Sequence, residues 1–174
     1  APSCAQNSCQ GQGCARHPQV CVDWCDAHAY CKAVGKRLCG KIGGGPLPNW
    51  DYASISASQW HRACTSNGQN AYTYGEKYNY ASCNTTSTSA STVPVASLQS
   101  CQSPVGLYGG VYDLTGNAKE WEDSCSSASG AKDSCPVRGG SFGGTMVDVM
   151  CEYSSLLRRD QVDYSLGFRC CSDP

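Results

Sequence analysis

The sequence contains few of the residues that usually build a hydrophobic core. Leucine, isoleucine, valine and phenylalanine together make up 23 of its 174 residues, a proportion typical of disordered chains. The length is nevertheless that of one ordinary domain. A folded state of this chain therefore needs a source of stability other than apolar burial.

The sequence also lacks an excess of charge and a long apolar segment. Its 13 Lys and Arg against 14 Asp and Glu give a net charge of −1. The densest basic site is the pair Arg158-Arg159, whereas binding to nucleic-acid phosphates needs a basic stripe. We therefore expect no nucleic-acid partner. No apolar run approaches the ~20 residues of a membrane span. An Ala-Pro start without a signal peptide is typical of a chain whose targeting segment has been cleaved.

Cysteine is what the sequence has in abundance. There are 15 cysteines, together with 10 tyrosines and 4 tryptophans. Each disulfide stabilises a fold by ~2–4 kcal/mol, mainly by restricting the unfolded chain. Disulfides persist in oxidising compartments, so we expect a secreted, extracellular or cell-surface protein.

The chain is predicted to have two parts, because residues 1–21 show no apolar period whereas the segment that follows them is helical. Residues 1–21 form a cysteine-rich leader of loop composition, and residues 22–174 form the main domain. In the leader, Cys4, Cys9 and Cys14 are five residues apart, which fits poorly with the shorter spacing of zinc ligands. We therefore expect disulfides there and keep zinc as the weaker alternative.

Two short helices are predicted in the first third of the domain. Asp23 is placed to cap the first, and Trp24, Ala27, Cys31 and Val34 recur on one face before Gly35 ends it. The second extends from about Ser56 to Cys64, with Trp60, Ala63 and Cys64 facing inward.

Short strands and loops are predicted from Tyr72 onward. The Ser/Thr-rich stretch from Thr85 to Thr92 is predicted to be an exposed loop. Asn84-Thr85-Thr86 also forms a glycosylation sequon, a pattern that is common by chance.

Three blocks of sequence carry a recognisable pattern. They are Val-Asp-Trp-Cys-Asp-Ala-His-Ala-Tyr-Cys at 22–31 with Gly-Lys-Arg-Leu at 35–38, Gly-Leu-Tyr at 106–108 with Asp-Leu-Thr-Gly-Asn-Ala-Lys-Glu-Trp at 113–121, and Arg-Gly-Gly-Ser-Phe at 138–142 with Leu-Gly-Phe-Arg-Cys at 166–170. In order and spacing they resemble the formylglycine-generating enzyme (sulfatase-modifying factor) domain family. The resemblance implies an α+β, loop-rich, C-type-lectin-like fold with two short helices, short antiparallel strands and many disulfides.

The resemblance also implies a structural calcium ion. In the similar enzymes calcium is held at positions that match Asp113, Gly116, Ala118 and Glu120. Calcium prefers six to eight oxygen ligands, from carboxylates and main-chain carbonyls together. The alternative is that Glu120 pairs with a nearby arginine while Asn117 only adopts a turn conformation.

The catalytic copper site of the family has no counterpart in the sequence. The similar oxidases bind copper through two cysteines shortly after the Gly-Gly-Ser-aromatic element, because thiolates select Cu(I). Residues 143–151 contain one cysteine, Cys151, which matches a structural half-cystine. Met146 and Met150 are expected to pack in the core, so no copper is expected. His17, His28 and His61 form no iron-binding pattern either.

The disulfide pairing is suggested by the same resemblance. It implies bonds from Cys31 to Cys170 and from Cys64 to Cys151. Cys125–Cys135 and Cys83–Cys101 are candidate pairs because each would close a short local loop. Cys39–Cys171 is a third candidate, because both cysteines lie near positions that the resemblance already pairs. Because 15 is odd, at least one thiol, expected between Cys4 and Cys25, is left to bond another chain, such as a second copy.

These features favour a non-catalytic extracellular module for binding or assembly, stabilised by disulfides and calcium. Tyrosine, serine, glycine and asparagine suit a recognition surface. Two alternatives remain open: a subunit of an extracellular filament or envelope layer, and a copper- or iron-dependent oxidase of the superfamily.

Overall fold

The computed structural model of the protein describes Cys4 and residues 12–86, 88–128 and 130–172. Within these ranges, two α-helices and two small sheets are joined by long irregular segments that contain three short 3₁₀ helices (Gln12–Cys14, Asn49–Asp51 and Gly106–Tyr108). The α-helices are α1 (Trp24–Ala33) and α2 (Gln59–Cys64). The strands are β1 (Arg37–Leu38), β2 (Lys119–Trp121), β3 (Ser134–Arg138), β4 (Ser154–Arg158), β5 (Leu166–Phe168) and β6 (Cys170–Cys171). The predicted α+β, loop-rich fold class is confirmed.

Helix α1 begins at the predicted cap. The Asp23 side chain accepts a hydrogen bond from the Asp26 amide, which satisfies one of the free N–H groups of the first turn. Trp24, Ala27 and Cys31 are buried as predicted. The prediction for Val34 was wrong: it is 49% exposed, because the helix ends at Ala33 and Gly35, at φ 73°, turns the chain away.

Helix α2 is shorter than predicted. It begins at Gln59 because the Ser58 side chain accepts a hydrogen bond from the His61 amide and so caps the first turn. Trp60 and Cys64 face inward as predicted, and His61 is buried as well. Ala63 is half-buried and packs against the cluster that Trp60 and Cys64 form.

The main sheet has four strands in the order β4-β3-β2-β5. The pairs β4–β3 and β3–β2 are antiparallel, whereas β5 lies parallel to β2. This corrects the expectation of antiparallel strands alone. The long connection from β4 carries the chain back across the sheet, so β5 adds to the far side of β2. β1 and β6 form a separate antiparallel pair.

Strands were expected soon after Tyr72, but the described residues between 72 and 118 form no strand: they form loops, one 3₁₀ helix (Gly106–Tyr108) and one isolated bridge between Tyr72 and Gly75. The prediction of an exposed loop at 85–92 was wrong at its two ends. Thr85 and Thr92 are buried. Asn84 is also buried, and its side-chain amide donates to the Ser91 carbonyl and to Asn117 Oδ1, so the sequon is inaccessible in the folded chain.

Six disulfides join described cysteines. Five are Cys31–Cys170, Cys39–Cys171, Cys64–Cys151, Cys83–Cys101 and Cys125–Cys135, the same pairs that the sequence analysis named. The sixth, Cys4–Cys21, attaches the leader close to Val20, which is buried and pairs with Gly167 of β5. Cys14 is disulfide-bonded too, and Cys9 lies outside the described residues.

Disulfides are built into both hydrophobic clusters. The first cluster joins α1 to the sheet through Trp24, Ala27, Trp121 and Val137, with Cys31 and Cys135 among its buried members. The second packs α2 against the 111–114 segment and contains Cys64 and Cys151. The cross-links therefore replace part of the aliphatic packing that the composition lacks.

Candidate functional site

The Asp113–Glu120 loop is held in place by its backbone conformation. Asp113, Gly116 and Asn117 all have positive φ, at 61°, 79° and 63°. A Cβ atom added to Gly116 would lie 2.2 Å from the Asn84 carbonyl oxygen, so the loop can pass this point only as glycine. The Asn117 side chain accepts from the Val93 amide and donates to the Val93 carbonyl. The loop is therefore fastened to the 84–93 segment.

Glu120 is fully engaged by protein donors. Arg169 donates to both of its carboxylate oxygens, with Nη2 2.7 Å from Oε1 and Nε 3.0 Å from Oε2. The indole Nε1 of Trp60 lies 2.7 Å from Oε2. Arg169 also donates to the Tyr112 carbonyl. Burial by itself lowers the pKa of Arg169, but the Glu120 carboxylate outweighs it and raises that pKa above its ordinary value.

Asp113 is only half satisfied. Its Oδ2 accepts the Ala96 amide at 2.9 Å, while its Oδ1 is buried with no hydrogen-bond partner among the described residues. Burial raises the pKa of Asp113, although the Ala96 amide and Arg169 oppose the shift. The carboxylate lines a cavity of about 310 Å³ together with Val95, Phe168 and Arg169.

Few oxygen atoms of the loop are free to bind calcium in this arrangement. Asp113 Oδ1 is the free carboxylate oxygen of the loop, and Glu120 would have to release Arg169 to contribute. Gly116 and Ala118 have only main-chain carbonyls to offer. Among the described residues, no three His, Cys, Asp or Glu side chains are grouped to hold a metal ion.

A second buried ion pair lies beside α2. Arg138 and Glu122 are both almost completely buried, and Arg138 Nε lies 4.0 Å from Glu122 Oε2. Arg138 donates to the Cys151 carbonyl at 2.7 Å, and its guanidinium lies 4.7 Å from the centre of the Trp60 ring. Sequence reasoning missed this pair, because its members lie 16 positions apart. Glu122 falls just after one family motif, and Arg138 is the first residue of another, to which no ion pair was assigned.

The 143–151 window carries no free thiol. Cys151 is bonded to Cys64, and its carbonyl accepts from His61 and Arg138. The expectation that Met146 packs in the core was wrong: it is 53% exposed, because the turn at 145–148 points it outward and leaves Val149 as the buried residue. Met150 is half-buried.

The histidines lie apart from one another in structural roles. His17 hydrogen-bonds to Thr92, His28 stacks on Trp24, and His61 bonds to the Cys151 carbonyl. Burial lowers the pKa of His61. Cys25 is free and exposed on α1, and burial together with Asp23 raises the pKa of its thiol.

Two features define the class of domain. The frame is loop-rich and α+β, and Glu120 of the Gly-Asn-Ala-Lys-Glu-Trp segment is paired with Arg169 of the Gly-Phe-Arg segment. Residues 2–174 match the family described as Sulfatase-modifying factor enzyme 1-like domain. The chain belongs to this family.

Solved structures share the fold at low sequence identity. CarF superposes with a TM-score of 0.63 at 18% identity, over 94% of this chain and 71% of CarF. Treponema denticola variable protein 1 gives 0.64 at 20% identity, over 99% and 79%. PvdO from Pseudomonas aeruginosa gives 0.61 at 21% identity, over 88% and 60%.

A curated relative is much longer than this chain. The serine/threonine-protein kinase pkn1 of Chlamydia caviae is 30% identical over 173 residues, which cover 91% of this chain and 24% of the kinase. The chain therefore spans about a quarter of the length of that relative.

Proposed function

We propose that the chain is a non-catalytic extracellular module that uses its loops for binding or assembly. The observation that carries this proposal is the Cys64–Cys151 disulfide. It occupies the one cysteine of the window in which the oxidases place their copper-binding pair. The only free cysteine among the described residues is Cys25, on α1, so no pair of thiolates is available there to select Cu(I).

The arrangement of loops and cross-links supports a binding role. Loops on a rigid frame commonly carry recognition, and here six disulfides fix the frame from which the loops project. Trp50 and Leu107, on the short 3₁₀ helices at 49–51 and 106–108, are 77% and 96% exposed. Tryptophan is among the residues that most often anchor interfaces.

The number of disulfides also supports an extracellular location, because such bonds persist in oxidising surroundings. No helix in the described ranges is long and apolar enough to cross a membrane. The match to one quarter of a longer kinase is consistent with a module that also occurs joined to other domains.

Formylglycine formation tests the non-catalytic assignment. We expect a sulfatase-type cysteine peptide to keep its mass after incubation with the copper-loaded protein and oxygen. A copper-loaded relative that retains the cysteine pair serves as the positive control. Conversion of the peptide, detected by mass spectrometry, would overturn the proposal.

Calcium binding at the Asp113–Glu120 loop is proposed as a source of stability. It is supported by the unpartnered Asp113 Oδ1 and by the family resemblance of the loop. A ligand that binds only the folded state stabilises it by about 2.7 kcal/mol at a hundredfold excess over its dissociation constant. We expect calcium to raise the melting temperature and chelator to lower it.

The variants Asp113→Asn and Glu120→Ala should abolish this response to calcium, whereas Asp51→Asn, outside the loop, should retain it. If the unmodified protein has the same melting curve with calcium and with chelator, the calcium proposal is wrong, and Glu120 acts as the ion-pair partner of Arg169.

Assembly through an interchain disulfide is proposed for Cys25, which is free and exposed. Electrophoresis without reductant should show a species larger than 18.4 kDa that disappears on reduction and in the variant Cys25→Ser. A single monomer band without reductant would rule the bond out.

A further inference from the structure

A second cleft lies over the main sheet, beside the Gly-Gly-Ser-Phe segment, with a volume of about 350 Å³. Its floor is formed by Lys119, Val137 and Ser155, which lie on β2, β3 and β4. The register pairs Trp121 with Val137 and Val137 with Ser155. Because side chains alternate along a strand, all three floor residues point to the same face of the sheet.

The loop that forms one wall of the cleft is held firmly. A Cβ atom added to Gly140 or to Gly144 would lie 2.7 Å from Val149 Cγ1, so the main chain packs directly on that side chain. Asp148 Oδ2 accepts both the amide and the hydroxyl of Thr145, at 2.9 and 2.7 Å. The wall is therefore already formed without a ligand.

The cleft presents hydroxyl groups that the protein does not use. The side-chain hydroxyls of Tyr153, Tyr164 and Ser155 have no hydrogen-bond partner in the described part of the chain. The Tyr164 ring packs against Phe142, with 5.9 Å between centroids, which fixes its orientation. Two aromatic rings and three hydroxyl-bearing side chains without a partner among the described residues thus line one half-open cleft.

The charges of the cleft nearly cancel. Lys119 is its one cationic side chain and Asp148 its one anionic side chain, and Lys119 Nζ lies 4.0 Å from Asp163 just outside. A phosphate or sulfate ion is commonly bound by more than one cationic donor, whereas Lys119 is the single cation here, and a lipid site needs mainly apolar walls. The lining suits a ligand that is uncharged and rich in hydroxyl groups and that has apolar C–H faces to lie against tyrosine rings.

We propose that this cleft binds a neutral saccharide of one or two rings. This inference rests on the proposed binding function and names its ligand class. Tyr153 and Tyr164 contact the sugar ring, Ser155 and Asp148 hydrogen-bond to its hydroxyls, and the wall at Gly143 lets the ligand approach the main chain.

Saturation-transfer NMR tests the inference with glucose, galactose, mannose, N-acetylglucosamine and their common disaccharides as neutral probes, and with sulfated forms of the monosaccharides as the charged comparison. We expect transfer to at least one neutral probe. Tyr153→Ala, which removes a partly exposed ring, should weaken its binding by about tenfold, equivalent to about 1.4 kcal/mol. Tyr80→Ala, at a tyrosine that is 63% exposed elsewhere, should leave it unchanged.

Three results would overturn the inference: no transfer to any probe, transfer that persists equally in Tyr153→Ala, or clear preference for a sulfated sugar over its neutral parent. These outcomes are separable from failure of the proposed function. Conversion of the peptide to formylglycine would show catalysis whether or not a sugar binds. If neither peptide conversion nor sugar binding is observed, the saccharide proposal fails and the non-catalytic assignment stands.

Discussion

Glu120 and Glu122 lie two residues apart, point to the same side of the sheet and each face an arginine, yet their surroundings differ. Glu120 receives two short hydrogen bonds from Arg169, which is partly exposed, and one from Trp60. Glu122 is fully buried and receives one from Ser58 at 2.8 Å, while Arg138 stays 4.0 Å away. Its Oε2 has no hydrogen-bond partner in the described ranges.

The difference shows that burial and pairing are separate properties of a charged side chain. Around Glu120, hydrogen bonds compensate for the lost water. Around Glu122, burial outweighs the attraction of Arg138 and the Ser58 hydrogen bond and raises the pKa of the carboxyl to about 7. Burial likewise lowers the pKa of Arg138, against the pull of Glu122. The region beside α2 therefore holds the less compensated charges.

Removing Arg138 should produce the largest effect. Arg138→Met would leave the Glu122 carboxyl and the Cys151 carbonyl without their cationic neighbour. Loss of one member of a buried pair typically costs about 3–5 kcal/mol. Urea unfolding at pH 8, where the Glu122 carboxyl of the unmodified protein is mostly ionised, measures the loss.

The double variant Glu122→Gln with Arg138→Met is the control for that measurement. It should recover part of the loss, since no charge then remains buried at this place. Equal losses in the single and double variants would mean that Arg138 acts through packing on Tyr52 and Trp60 alone.

The pH dependence of stability should sharpen the comparison at Glu122. Its pKa in the folded chain, about 7, lies above the ordinary value of 4.5. The folded state therefore keeps a proton that the unfolded state has released, and the free energy of unfolding falls as pH rises between these values. At about 1.4 kcal/mol per pH unit, the fall reaches at most about 3 kcal/mol.

Glu122→Gln should remove this part of the pH profile, and Glu76→Gln, at an exposed carboxyl, should not. Urea unfolding at pH 4.5, 6 and 8 provides the comparison. If the profiles of Glu122→Gln and the unmodified protein run parallel, Glu122 does not titrate in this range.

Arg169→Met should have a smaller effect than Arg138→Met. Glu120 would keep the Trp60 hydrogen bond, and its side chain reaches solvent slightly, so we expect a loss of about 1–2 kcal/mol. Arg158→Met, at an exposed pair with Asp160, should cost less than about 1 kcal/mol. If Arg169→Met lowers the free energy of unfolding more than Arg138→Met does, the conclusion that the region beside α2 holds the less compensated charges is wrong.

Local sequence signals predicted local features well. Asp23 marked the start of α1, and the spacing of Trp24, Ala27 and Cys31 gave its buried face. Val34 has the same spacing, but it lies at the point where Gly35 turns the chain, and that turn decides its exposure. The start of α2 moved from Ser56 to Gln59 for a similar reason, since several serines there could serve as the cap.

Features that depend on distant segments were not predictable from spacing. Strand β2 has three residues, Lys-Glu-Trp, and nothing in such a short segment indicates a central strand. The buried pair of Glu122 and Arg138 forms only because β2 and β3 adopt their particular register. The saccharide cleft is assembled from β2, β3, β4 and two loops, so no contiguous motif could mark it.

The disulfides between distant cysteines covalently join segments that lie far apart in the sequence. The Cys31–Cys170 bond spans 139 residues, so a single protease cut anywhere between those cysteines yields two pieces that remain attached. A cut within 83–101 or 125–135 is bridged by four bonds: the local one and those at Cys31–Cys170, Cys39–Cys171 and Cys64–Cys151. A molecule nicked once between Cys31 and Cys170 would therefore lose no fragment until it was reduced, and the loops in that range can be cleaved without the frame coming apart.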